Sequence, residues 1–175
     1  MARRIAVKGS SGAGKTTVSA QLAGRLGVPH IELDALHHGP NWSEPTAEEF
    51  QAQVRTVLAA HPEGWVIDGN YERKLGELVN DSADTIVWLD LPLATLLARL
   101  VRRSVPRIIS HTELWPGTGN RESWYGVFLA RDGLIPWMVR SHFRHRREWP
   151  ARFRDHPHFV RLRSERAIVE WLNQQ

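Results

Sequence analysis

Residues Gly9-Ser-Ser-Gly-Ala-Gly14-Lys15-Thr16 satisfy G-x-x-x-x-G-K-[ST], a spacing whose chemistry is the cradling of phosphates. Glycines let successive backbone N–H groups point into one concavity, and a helix that begins directly after them adds positive potential. In such a loop Lys15 reaches the β- and γ-phosphates and Thr16 offers a hydroxyl to magnesium. The expected nucleotide contacts are therefore Gly9, Ser11, Gly12, Ala13, Gly14, Lys15, Thr16 and Thr17. Two carboxylates, Asp34 and Asp68, close short apolar runs, which is where side chains meet ligands in open α/β sheets. The neighbouring pair His37-His38 invites thoughts of a metal, but no third ligand follows at a suitable spacing, and none is expected there.

These groups need elements to hold them. Residues 3–8 form a short apolar run that stops at Gly9, and Val18, Leu22 and Leu26 then recur every four positions: strand, loop, helix. A strand is expected at His30–Leu33, and an amphipathic helix over Thr46–Ala60, with Thr46 and Glu49 spaced as a capping box. Gly64–Asp68 and Thr85–Leu91 are continuous apolar runs, as befits parallel strands covered on both faces. Pro92 opens a helix whose stripe of Leu93, Leu96, Leu97 and Leu100 ends in Arg102 and Arg103. From Ser104 to Asn120 the pattern breaks at two prolines and two glycines and reads as an excursion, standing open until a ligand arrives. Helix resumes from Trp137 into the basic run Arg144–Arg147, then a strand at His158–Leu162 and a capped helix at Ser164–Leu172. Strands alternating with helices predict a single three-layer α/β domain over residues 1–175.

Composition excludes several classes. The 175 residues are 42% hydrophobic and 24% charged with no cysteine, so a disulfide scaffold or thiolate zinc site is ruled out, and a reducing, cytoplasmic setting is expected. No 18-residue apolar stretch exists, and no membrane partner is expected. Basic residues number 8 against 12 acidic over positions 1–90, and 15 against 7 over 91–175, which together give the net +4. With 20 Arg to 3 Lys, that bias suits bidentate oxygen recognition. Nucleic acid is the competing partner, but no recognisable nucleic-acid motif is present. A GTPase-like switch is disfavoured by the lack of an Asn/Thr-Lys-x-Asp signature.

The phosphate loop, the strand ending in Leu33-Asp34, the run Trp-Val-Ile-Asp68-Gly-Asn-Tyr, Ile-Val-Trp-Leu-Asp-Leu-Pro and Arg99-Leu-Val-Arg102-Arg103 together resemble the adenylate-kinase-like nucleoside and nucleotide kinases. Within these they are most similar to the small bacterial topology-modulation (FlaR-like) proteins. The resemblance covers nearly the whole chain. It implies a P-loop fold with a five-stranded parallel sheet in the order 2-3-1-4-5, an acceptor-binding segment at about 34–60, and a helical, arginine-rich lid at about 104–147. It further implies an ATP- and Mg2+-dependent kinase acting on a small acceptor, a nucleotide or nucleoside foremost. Under that reading Lys15 is catalytic, Asp68 joins Thr16 at magnesium, Asp34 orients or deprotonates the acceptor hydroxyl, and Arg99 and Arg103 clamp the nucleotide. Arg144 is a further nucleotide contact, with Arg121, Arg140 and Arg147 available from the lid. The alternatives are a kinase of a non-nucleotide hydroxyl metabolite and a nucleotide-dependent regulatory or nucleic-acid-binding protein. Asp68-Gly-Asn-Tyr-Glu-Arg73 stands where adenylate kinases have Asp-Gly-Phe-Pro-Arg, a departure that bears on AMP as acceptor.

Overall fold

The apolar runs become the strands β1 (Arg4–Gly9), β2 (His30–Glu32), β3 (Trp65–Asp68), β4 (Thr85–Leu89) and β5 (Phe159–Leu162). All pairings are parallel and the spatial order is 2-3-1-4-5, as expected from the family resemblance. This computed structural model describes residues 3–175; Met1 and Ala2, the first positions of the expected single domain, lie outside the described residues.

Because side chains alternate across a strand, each run feeds two cores at once. Ile5, Val7, Val66, Val87 and Leu89 pack beneath α1 (Lys15–Leu26), α6 (Leu93–Ile109), the start of α7 (Leu134–Arg152) and α8 (Glu165–Leu172). Ala6, Trp65, Ile67, Ile86 and Trp88 meet the opposite layer, including Phe50 and Val54 of α3 (Ala47–Ala60) and Trp149 and Phe153 at the end of α7. Trp65 and Trp88 are thus core residues, 1% and 2% exposed. The capping box at Thr46 and Glu49 forms as its spacing predicts.

Three boundaries differ from expectation. The second strand stops at Glu32, and Leu33–His37 turns at once into a short helix, α2; Asp34 therefore stands in a helix's first turn. The helix entering the insertion does not stop at Arg103 but continues through Pro106 to Ile109. Proline removes one hydrogen bond there, while the added turn buries Ser104 and Ile108 completely or nearly so, and burial prevails. Helix α7 starts at Leu134, before Pro136, because the first-turn N–H groups of a helix have no intrahelical acceptor and proline costs nothing there.

Between α6 and α7 the chain does not stand open. It forms a turn closed by a Glu113–Arg121 bridge and docks on residues 39–42: Asn41 N–H donates to Thr118 O (2.9 Å), and the buried Asn120 accepts from Trp42 N–H (2.7 Å) and donates to Gly39 O (3.0 Å). A π-helical turn at Tyr125–Leu129 then leads into α7. Helices α4 (Glu72–Leu75) and α5 (Leu78–Ser82) complete the fold.

Candidate active site

Where β1 gives way to α1, the chain must reverse within five residues against its neighbours. Gly12 has φ +84°, and a Cβ there would lie 2.7 Å from Leu96 O. Gly14 occupies the left-handed region at the helix N-cap, φ +88°. Both positions demand glycine, for space and for backbone conformation. The loop is braced from below by Asn70, which accepts from Gly9 N–H (3.2 Å) and donates to Gly9 O (2.7 Å). The sequence reading missed that clamp; it follows β3 by two residues and carries no motif.

The loop forms one end of a cleft of about 1420 Å3. Ser11 to Thr17 and Asp34 line it, and Arg99, Arg102, Arg103 and Arg107 follow one another along α6. Its far end is aromatic. His38 stacks on Trp115 with ring centroids 5.3 Å apart, and Trp42 meets both edge-on. Trp42 and Asn41 hold positive φ values of 61° and 54°, costly for non-glycine residues and sustained by the docked insertion. Trp115 and Glu122 are cleft residues that sequence reasoning missed, since only the docking of the insertion brings them in.

Charge is arranged in opposed pairs. Burial lowers the pKa of Lys15, an effect that Asp34 and Asp68 partly offset. Its ammonium lies 3.5 Å from Ser10 O, within the loop. Arg99 bonds Glu165 (2.8 Å) and approaches Ala13 O (3.5 Å). Arg103 and Arg107 flank Glu122 at 3.8 and 3.7 Å, and the Glu122 side chain is only 6% exposed. Two of its neighbours are thus arginines, and its Oε2 has no hydrogen-bond partner. Tyr71 donates to Asp34 Oδ1 (2.7 Å). Burial, reinforced by the Asp34 carboxylate, pushes the Tyr71 phenol far above its ordinary value, so it remains a donor.

Not every expected residue reaches the cleft. Asp68 is 1% exposed and accepts from His30 Nε2 (2.7 Å) at the carboxyl end of β3, and neither it nor Gly9 is among the residues lining the cleft; Glu32, its register partner on β2, lines the cleft instead. Arg121 lines it, but Arg144, Arg140 and Arg147 do not. Arg140 bonds Asp132 (3.3 Å) and Arg147 bonds Glu148 (3.0 Å). The pair His37-His38 does acquire a third neighbour, contrary to expectation: Glu44 Oε2 lies 3.6 Å from His37 Nε2. Five intervening residues, folded back by the 3-10 turn at Pro40–Trp42, bring it there. Asp90, buried at the end of β4, is held by Arg146 and Arg161 (both 2.7 Å) and joins α7 and β5 to the sheet, not to the cleft.

A parallel 2-3-1-4-5 sheet with a phosphate loop after its first strand is the P-loop kinase fold, and solved structures agree. A gluconokinase from Sinorhizobium meliloti 1021 superposes with a TM-score of 0.55 at 20% identity, over 98% of this chain and 92% of its own. A shikimate kinase from Bacteroides thetaiotaomicron gives 0.52 at 18%, over 99% and 96%. A deoxyadenosine kinase from M. mycoides, solved with bound dCTP, gives 0.52 at 12%, over 98% and 97%. No protein-family model and no curated protein matches the sequence. Among the described residues, no helix is long and apolar enough to cross a membrane.

Proposed function

We propose that this chain is an ATP- and Mg2+-dependent phosphotransferase that moves a γ-phosphoryl group to a hydroxyl of a small ring-bearing acceptor, a nucleoside or nucleotide foremost. The observation that carries the reading is that one cleft is lined together by a phosphate loop, a file of arginines, Asp34 and aromatic faces. The three kinases that share its fold phosphorylate small acceptors by their names, and of the motifs that resemble adenylate-kinase-like and topology-modulation proteins, the phosphate loop, Asp34, Asn70-Tyr71 and the arginines of Arg99–Arg103 line the same cleft.

Phosphoryl transfer spreads charge over the equatorial oxygens of the moving group, so its catalysis is positioning plus cationic stabilisation. Lys15 and the loop N–H groups hold the β- and γ-phosphates. Arg99 and Arg103 exchange their carboxylate partners for phosphate as nucleotide arrives. The acceptor oxygen forms its bond to phosphorus as the bond to the β–γ bridging oxygen breaks, and the acceptor's proton passes to Asp34. Tyr71 fixes the Asp34 carboxylate for that role. Magnesium fits the donors available, for Thr16 supplies a hydroxyl and Asp34, Asp68 and Glu32 supply carboxylates, all hard oxygens. Thr16 would hold it directly and Asp68, which does not line the cleft, through the ion's water shell, and bound there it would neutralise phosphate charge.

The aromatic end favours a neutral ring. His38, Trp42 and Trp115 present faces for stacking, while Asp34 and Glu44 repel a second phosphate there. Between the two foremost classes, that balance favours nucleosides over nucleotides. The test is ADP release with ATP and magnesium across nucleosides, nucleoside monophosphates, sugars and hydroxylated acids. Turnover above the acceptor-free rate with one class supports the reading; no stimulation by any, together with salt-sensitive DNA binding, favours the nucleic-acid alternative.

A further inference from the structure

We propose that His37, His38 and Glu44 form a site for a borderline divalent cation such as Zn2+, separate from the magnesium held at the phosphate loop. One donor atom from each residue lies within 4.8 Å of the other two. His37 Nε2, the nitrogen that would bind, faces Glu44 Oε2 at 3.6 Å, and the His38 ring lies beside it with its centroid 4.7 Å from that of His37. The His37 side chain is 5% exposed, and its Nε2, itself buried, has no hydrogen-bond partner. An unpartnered imidazole nitrogen in that position is costly unless something binds it.

Two imidazoles and a carboxylate make a zinc-type donor set. Bond lengths of roughly 2.0–2.2 Å place tetrahedral donors roughly 3.3 Å apart, so closure needs movements on the order of one ångström. His37 is fixed by packing on Phe50 and Tyr71 (centroids 5.2 and 4.6 Å away). His38 is half-buried and Glu44 exposed, and they supply the movement. The present tenant of the carboxylate is Lys74, whose ammonium sits 3.0 Å from Glu44 Oε2 and 3.1 Å from Pro45 O. It holds Glu44 short of His37 and competes with a cation.

All three residues line the cleft. Three protein ligands therefore leave a fourth coordination position facing the aromatic end, the pattern of an open zinc site, able to take an oxygen of whatever occupies that end. Magnesium, which prefers oxygen-only shells, is a poor competitor for two imidazoles.

The experiment is a Zn2+ titration of the metal-stripped full-length chain against a chromophoric chelator, in excess Mg2+, with folding checked by circular dichroism. One Zn2+ per chain is expected. His38→Ala and Glu44→Gln should each weaken binding by about tenfold or more, since even residues that only orient a ligand cost that much. Lys74→Met lies outside the donor set and should tighten it, which keeps the test decisive if a ligand variant misfolds. Absence of saturable binding, displacement by Mg2+, affinity unmoved in both ligand variants, or an unchanged or weaker affinity in Lys74→Met overturns the proposal.

Discussion

The two ends of the cleft are built on opposite plans. The phosphate end comes chiefly from one stretch, Ser11 to Thr17, and a single face of α6; its geometry is dictated by glycine conformations and a helix start. The acceptor end is gathered from residues 34–44, Tyr71 and 114–122, joined by side chains such as Asn120 that bridge 78 and 81 residues. A contiguous site needs only its own backbone. A gathered site inherits the stability of every docking contact that assembles it, and damage should fall differently on the two.

The sharpest break is Lys15→Ala. If the phosphate end does the chemistry, removing its ammonium should cut ADP release on the order of a thousandfold. Thermal stability should barely move, because the lysine's one hydrogen bond is a long contact to Ser10 O. Turnover near the parent rate in the variant would detach the loop from the mechanism. Asp68→Asn is a subtler case at the same end: turnover should fall well beyond any change in ATP affinity, as expected of a group acting in the transition state. Equal losses in both would make Asp68 a structural partner of His30.

Next in size is Lys8, on β1 beneath the loop, whose ammonium pairs with Glu72 at 2.9 Å with both side chains nearly buried (3% and 11% exposed). Burial opposes ionisation of Glu72, yet Lys8 together with a backbone hydrogen bond outweighs it and the carboxyl titrates below its ordinary value. Lys8→Met leaves a buried charge unpaired and should cost about 3–5 kcal/mol, a melting drop of roughly 10 °C. The double variant Lys8→Met/Glu72→Leu should recover most of that. Failure to recover would mean that the pair positions α4 rather than merely neutralising itself.

How far the sequence foretold each end follows from the same contrast. The loop, the capping box and the sheet order were legible, the first two from local spacing and the last from motif resemblance. Asp34 was placed near the cleft, but its turn into α2 was not foreseen, because a three-residue strand gives no period to read. Pro106 and the pattern break at Ser104 signalled an open excursion; burial of Ser104 and Ile108 and the docking by Asn120 decided otherwise, and neither contact leaves a mark in local sequence. Trp115 and Glu122 went unseen for that reason. Glu44 has no metal-ligand spacing to His37 or His38 along the chain, and only the 3-10 turn at Pro40–Trp42 supplies it in space.

Asn120→Ala tests the gathered end directly. It removes two hydrogen bonds and leaves Trp42 N–H and Gly39 O without their partner, at a cost of about 2 kcal/mol. The strained φ of Asn41 and Trp42 should then relax. The acceptor's KM should rise several-fold while the KM for ATP stays put. If both rise together, the two ends are one cooperative unit and the contrast fails.

The smallest effect is one of acidity. The phosphate end is held by lysine and arginine, which stay charged in mild acid, while the layer beside it contains His145, stacked on Trp149 with ring centroids 3.8 Å apart. Burial pushes its pKa down to about 3, against a pull from Glu72. Between pH 6.5 and 3 the unfolded chain therefore takes a proton that the folded chain refuses. The resulting stability is fully present above about pH 6.5 and declines as pH falls, by about 1.4 kcal/mol per unit for this one group. Burial also lowers His37 and His142, with the same sign. Denaturant unfolding at pH 7.5, 6.5 and 5.5 should show the loss concentrated in the last step. His145→Gln should be less stable at pH 7.5 yet flatter in its pH dependence, since it removes the titrating group without removing the site. An equal slope in both proteins would mean that the acid sensitivity resides in His37, His142 or the carboxylates and not in the His145 layer.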